Sequence, residues 1–331
     1  MKKILITVIK VTLPLAFGVF LIWYVHNDLN QDEKNNLYDS FRNANYLWVL
    51  ASVFFGILSH LSRAYRWKYT LEPLGLKPRF WNSFFAVMIG YIANLLLPRL
   101  GEASRPGILT KYEKMPFDKL FGTVIAERVA DLTILAAMIC VVIISQLDKL
   151  GNALSGLLAS GEEKFSITTI MIGLLVFLSV VIILLTILKK TSNPFMLKIK
   201  KLVIGFIIGL KSIIRMKDSW KFIFHTFFIW AMYMLMFYIC FFSLPGTANT
   251  PLMGILAAFV MGGLSIIFIQ GGIGIYPAEI MGTLALYGIA EPIGLALGWI
   301  IWTAQTLMII ILGSLSLILV PLYNKKRVYE A

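Results

Sequence analysis

Apolar runs long enough to cross a hydrocarbon core recur from one end of this 331-residue chain to the other, and this constrains the fold more than any motif. They fall at about 4–25, 46–62, 80–97, 120–147, 167–188, 220–244, 252–269 and 293–320. Inside a bilayer each backbone N–H and C=O must be satisfied within the chain, so runs of about 17 to 25 apolar residues become helices. The chain is 59% hydrophobic and 14% charged, whereas a soluble domain carries roughly a quarter charged residues. The runs leave no room for a separate soluble domain. Residues 1–331 therefore read as a single all-α polytopic transmembrane domain.

The distribution of charge refines the topology. If all eight runs simply crossed, starting from a cytoplasmic N-terminus, the lysine-rich segment 189–217 would be exported and the acidic loop 148–164 retained, against the positive-inside rule. Both conflicts vanish if about 80–112 and about 252–290 are re-entrant hairpins, one dipping in from each face. The expectation is then about six full crossings plus two oppositely oriented hairpins, the outline of an inverted repeat, with both termini cytoplasmic. Eight plain crossings with a weak charge bias is the alternative. Segment 195–217 carries Lys200, Lys201, Lys211 and Arg215 on one helical side and reads as an interfacial basic helix, although positive-inside anchoring alone would give the same cluster. The formal charge of +13 sits in short segments between apolar runs, which suits membrane orientation rather than nucleic acid.

Glu127, Arg128 and Asp131 lie inside the fourth run, where each charge costs roughly 2.5 to 3.5 kcal/mol to insert. Glu127 and Asp131 are i,i+4 neighbours, Arg128 reaches Asp131 at i,i+3, and one negative charge is left for another element to meet. The first hairpin is the obvious source. Its stretch 91–106 is interrupted by Pro98 and Pro106, bends at Gly101, and brings Asn94, Arg99, Glu102 and Arg105 to a helix break where an arginine fork can grip a phosphate. A structural ion network that fixes helix packing is the other reading. The second hairpin carries Gln270-Gly271-Gly272-Ile273-Gly274, followed by Pro277 and Glu279, and suggests unwound backbone lining a cavity. Arg63 and Arg66, interleaved with aromatic residues, read as interfacial chemistry or as a funnel for lipid headgroups. The scattered histidines and cysteines have no metal-ligand spacing, and no P-loop or cofactor motif is present, so neither metal nor cofactor is expected.

Together these motifs resemble the transmembrane region of lysylphosphatidylglycerol synthases, the flippase part of the multiple peptide resistance factor and its stand-alone YbhN-like relatives. The resemblance covers most of the chain. It rests on Arg63-Ala64-Tyr65-Arg66-Trp67, on Asn94-Leu95-Leu96-Leu97-Pro98-Arg99-Leu100-Gly101-Glu102 with Arg105, on Glu127-Arg128-Val129-Ala130-Asp131, and on Gly271-Gly272-Ile273-Gly274. It implies a multi-pass inner (plasma) membrane protein that translocates an anionic or aminoacylated phospholipid, or another phosphate-linked lipid, between leaflets. Relatives often place proline before the glycines and glutamate soon after them; here Gln270 precedes them and Glu279 follows five residues after Gly274, and the family's soluble aminoacyl-transfer domain is absent from these residues. The expected partners are membrane lipids and a separate lipid-modifying synthase or glycosyltransferase. Two other functions stay open: a membrane-embedded transferase acting on a lipid-linked phosphate, with Glu127 or Asp131 as base or metal ligand, and a non-transporting scaffold for a synthase or glycosyltransferase.

Overall fold

The computed structural model describes residues 2–146, 213 and 215–325; the expected crossing at 167–188 and nearly all of the basic helix at 195–217 lie outside these residues. The described residues form helices α1 (Lys2–Asp28), α2 (Gln31–Asn43), α3 (Tyr46–Leu71), α4 (Phe80–Leu96), α5 (Leu100–Glu113), α6 (Phe117–Ser145), α7 (Ser219–Cys240), α8 (Leu252–Phe268), α9 (Ile275–Ala285) and α10 (Glu291–Tyr323). Among them, α3, α6, α7 and α10 are long and apolar enough to cross a membrane. They coincide with four of the runs expected to do so. The acidic stretch after the first run is itself a helix, α2, closed at its start by a capping box in which Asn30 Oδ1 accepts from the Glu33 amide while Glu33 accepts from that of Asn30.

Helices α3 and α7 run antiparallel. The Asn45 amide at the start of α3 donates to the Ser243 carbonyl beyond the end of α7 (2.8 Å), and Ser62 bonds His225 (2.8 Å) farther along. Their small and aromatic faces interlock: Gly56 leaves room for Met236 of α7 and Met308 of α10, and a Cβ there would strike both sulfurs.

Two helical hairpins occupy the positions expected for them. In the first, α4 stops at Leu96 because Pro98 cannot continue it, and Arg99 takes a left-handed conformation (φ 63°) before α5 turns back. The Asn94 side chain spans the break, accepting from the Gly101 amide at 2.7 Å. Gly90 and Gly101 meet backbone to backbone, and a Cβ on Gly101 would collide with the Gly90 carbonyl, so only glycine lets α5 lie this close to α4. In the second, α8 stops at Phe268, Gly271, Gly272 and Gly274 all adopt positive φ (69°, 67° and 74°), and α9 returns. An L side chain is strained there, which explains the glycine cluster.

Helix α10 measures out the arrangement. Along its length Gly294 abuts Met281, Gly298 abuts Pro277, Trp302 Nε1 donates to the Gly271 carbonyl (2.6 Å), Gly313 abuts Ile92 and Asn324 bonds Asn82 (2.8 Å). The open end of the second hairpin therefore lies at the start of α10 and that of the first at its end, so the two hairpins point toward each other along α10. Their tips meet between, where Gly271 faces the side chain of Leu95.

Candidate functional site: a buried arginine and carboxylate network

The expected source of charge for the α6 carboxylates is only half of the source found. From the first hairpin, Arg105 Nη1 meets Glu127 Oε2 at 2.6 Å. Asp131 is held instead by α3: Arg63 Nη1 lies 2.7 Å from Oδ2 and Arg66 Nη1 2.8 Å from Oδ1, while Arg66 Nε also reaches Glu127 Oε1 at 3.5 Å. Arg63 and Arg66 are i,i+3 on α3 and so project together toward α6. Far from forming an exposed funnel, they are 5% and 0% exposed and make the floor of the site.

Aromatic and hydroxyl groups complete that floor. Trp67 is fully buried, donates from Nε1 to Thr123 of α6 (2.8 Å), and offers its ring face to the Arg105 guanidinium, 3.8 Å from the centroid. Arg66 also donates to Thr226 of α7 (3.0 Å) and stands over the Phe222 ring. The site thus ties α3, α5, α6 and α7 into one unit. Burying these charges is costly unless each is paired with good geometry, and removing one partner of such a pair typically costs about 3 to 5 kcal/mol.

Arg128 does not take the intrahelical path to Asp131. It follows Glu127 by about 100° around α6, emerges at the edge of the network and faces Glu102 of α5 at 3.7 Å, both side chains partly exposed (44% and 36%). Between this pair and the buried network lies a small open recess of about 20 Å³, bounded by Arg63, Arg105 and Arg128, by Asn94 and Tyr91 of α4, and by Glu102. That is room for about one water molecule, far below the roughly 300 to 1,000 Å³ of preformed ligand pockets, so a headgroup is admitted only when the surrounding side chains move apart.

Four guanidiniums, of Arg63, Arg66, Arg105 and Arg128, face three carboxylates, of Glu102, Glu127 and Asp131, so the cluster carries one positive charge in excess. Within the network Arg105 Nη2 and Nε, Arg63 Nε, Arg66 Nε and both Glu127 carboxylate oxygens are buried without a well-aligned hydrogen-bond partner among the described residues. Buried donors of this kind are normally satisfied. The arrangement can therefore accept one anionic oxygen-bearing group on a guanidinium edge.

Arg99 sits exposed at the start of α5 and does not line the recess. Gly271, Gly272 and Gly274 belong to the opposing break, against α1 and α10, and do not line it either. Sequence reading did not single out Tyr91 and Tyr233, and took His60 as an interfacial or packing residue: His60 is buried with its ring 4.6 Å from that of Tyr91, whose hydroxyl bonds that of Tyr233 (3.0 Å). The signal available for them was the i,i+3 spacing of His60 and Arg63.

A family model described as the lysylphosphatidylglycerol synthase TM region matches residues 11–313. The chain is also similar to the UPF0104 membrane protein MJ1595 of Methanocaldococcus jannaschii, 31% identical over 137 residues. That alignment covers 40% of this chain and 39% of the relative, so the chain spans about two fifths of the length of the curated protein it matches. No solved structure matches the chain significantly.

Proposed function

The chain belongs to the lysylphosphatidylglycerol synthase transmembrane-region family, and on that premise we propose that it translocates a phosphate-bearing lipid between the leaflets of the inner membrane. The reading is carried by Arg105: its side chain is 9% exposed, lies against the recess, and keeps two donor nitrogens uncommitted beside a surplus positive charge. A phosphodiester oxygen reaches that edge once the recess widens, with Arg63 and Arg128 on either side. Acyl chains remain outside in the bilayer.

In this reading residues 1–331 act as one transmembrane domain with cytoplasmic termini, and the hairpins are the re-entrant halves of an inverted repeat. Half-helices that meet at mid-depth are the usual setting for a transporter's binding site. The first break presents the recess, while the glycine break of the second hairpin, held against α1 and by the Trp302 hydrogen bond to Gly271, must release those contacts to open the path toward the other leaflet. Arg99, outside the recess, has no part in holding the headgroup.

The carboxylates favour transport over transferase chemistry. Glu127 and Asp131 are each gripped by two guanidiniums within 3.5 Å, which suits fixed counter-charges and not a base that must exchange protons. The test is a liposome assay with purified full-length protein and trace fluorescent phosphatidylglycerol or its lysyl derivative, following quencher access to the inner-leaflet label. Exchange above that of empty liposomes, lost in Arg128→Ala, is the expected result. Exchange no faster than in empty liposomes for either headgroup overturns the reading in favour of an enzyme or scaffold role.

A further inference from the structure

We propose that Glu102 sets the charge selectivity of the recess, restricting it to lipids whose phosphate carries a single negative charge and rejecting phosphomonoester and diphosphate lipids. This rests on the recess being a lipid-phosphate site, and it deepens that reading by naming the class of phosphate.

Without Glu102 the cluster would hold four positive charges against the two of Glu127 and Asp131, a surplus of two that suits a dianion. With Glu102 the surplus falls to one, which a phosphodiester monoanion neutralises. A second negative charge on the ligand then has no counter-charge and stands beside the Glu102 carboxylate in a partly desolvated space, where like charges repel strongly.

Glu102 contributes little to holding the fold together. Its contact with Arg128 is 3.7 Å, longer than the roughly 2.7 to 2.9 Å of a charge-assisted hydrogen bond, and both side chains reach solvent. Exposed pairs of this kind are worth little to stability. The buried pairs beneath show what a structural ion pair in this protein looks like, at 2.6 to 2.8 Å and almost fully enclosed. A carboxylate at the boundary of an otherwise cationic recess weakens anion binding in general. Its presence therefore makes physical sense as discrimination, achieved by a repulsive group aimed at the wrong ligand.

The experiment measures binding, separately from transport, on the full chain in detergent at pH 8, by calorimetric titration with dioctanoyl phosphatidylglycerol, dioctanoyl phosphatidic acid and farnesyl diphosphate. At that pH a phosphomonoester is a dianion, its second ionisation lying near 6. The wild type is expected to prefer the phosphodiester by at least about tenfold, a difference of about 1.4 kcal/mol. Glu102→Gln is expected to cut that preference to under about threefold by gaining affinity for the two probes that carry more than one negative charge. Arg128→Gln should weaken all three. The preference is a ratio within one preparation, so a general loss of folding does not imitate the shift. Equal binding of the three probes by the wild type, a preference unchanged in Glu102→Gln, or no binding of any probe each overturns the proposal. Selective binding without exchange in liposomes leaves it standing and removes translocation; exchange that is indifferent to Glu102 and to phosphate charge does the reverse.

Discussion

Replacing Arg105 and Glu127 together separates the structural contribution of their ion pair from its functional one. The pair is short (2.6 Å) and its side chains are 9% and 1% exposed. With about 4 Å between charge centres and an effective dielectric near 20, the attraction is about 4 kcal/mol. Arg105→Met alone leaves Glu127 with only the longer contact to Arg66, and Glu127→Leu alone leaves the Arg105 guanidinium buried over Trp67 without its counter-charge. Each single variant is expected to lose about 3 to 5 kcal/mol. The double variant removes one charge of each sign, keeps the surplus of one positive charge, and fills the space with apolar atoms. Its stability is expected within about 1 kcal/mol of the wild type, since exchanging a whole buried pair for hydrophobic groups is often neutral. Unfolding in mixed micelles, followed by the reactivity of the buried Cys240 thiol in a Cys140→Ser background, measures all three. Lipid exchange by the folded double variant is expected to vanish, because the Arg105 donor edge has gone. A double variant as unstable as the singles would refute the ion-pair argument, and one that exchanges lipid at the wild-type rate would refute the role given to Arg105.

Gly101→Ala places a methyl group into the Gly90 carbonyl and is expected to abolish stable folding, whereas Gly107→Ala on the same helix meets no neighbour and should raise stability by about 0.5 to 1 kcal/mol; thermal unfolding of both variants checks the pair. Trp302→Phe removes the donor to the Gly271 carbonyl and is expected to cost about 1 to 3 kcal/mol and to loosen the second break, seen as faster hydrogen exchange at 271–274. At the open end of the first hairpin, burial pushes the Glu113 carboxyl up, but hydrogen bonds from Asn82 and from the Arg79 amide and guanidinium outweigh it and hold the group below its ordinary value of 4.5. Because the folded value is the depressed one, the stabilisation is complete above about 4.5 and is lost as the pH falls below it; the acid side of the stability profile should flatten in Glu113→Gln, measured by unfolding across that range.

Much of the architecture was legible because local chemistry dictates it. Pro98 ends α4, the glycines at 271, 272 and 274 mark backbone that other residues resist, and α3, α6, α7 and α10, long and apolar enough to span, fall on four of the eight apolar runs. The sequence also required that Glu127 and Asp131 find cations from outside α6, since their own helix supplies only Arg128 within a turn of them, Lys119 lying two turns before Glu127. Which cations they find is a matter of packing. Asp131 is neutralised from α3 because α3 is locked antiparallel to α7 and turns Arg63 and Arg66 toward α6, and no spacing within either helix encodes that approach. The same packing brings Arg128, about 100° around α6 from Glu127, to meet Glu102 across the recess, and leaves Arg99 outside it. Charge type and helix breaks follow from residues a few positions apart, whereas the net charge of a cavity is set only when helices distant in sequence close around it.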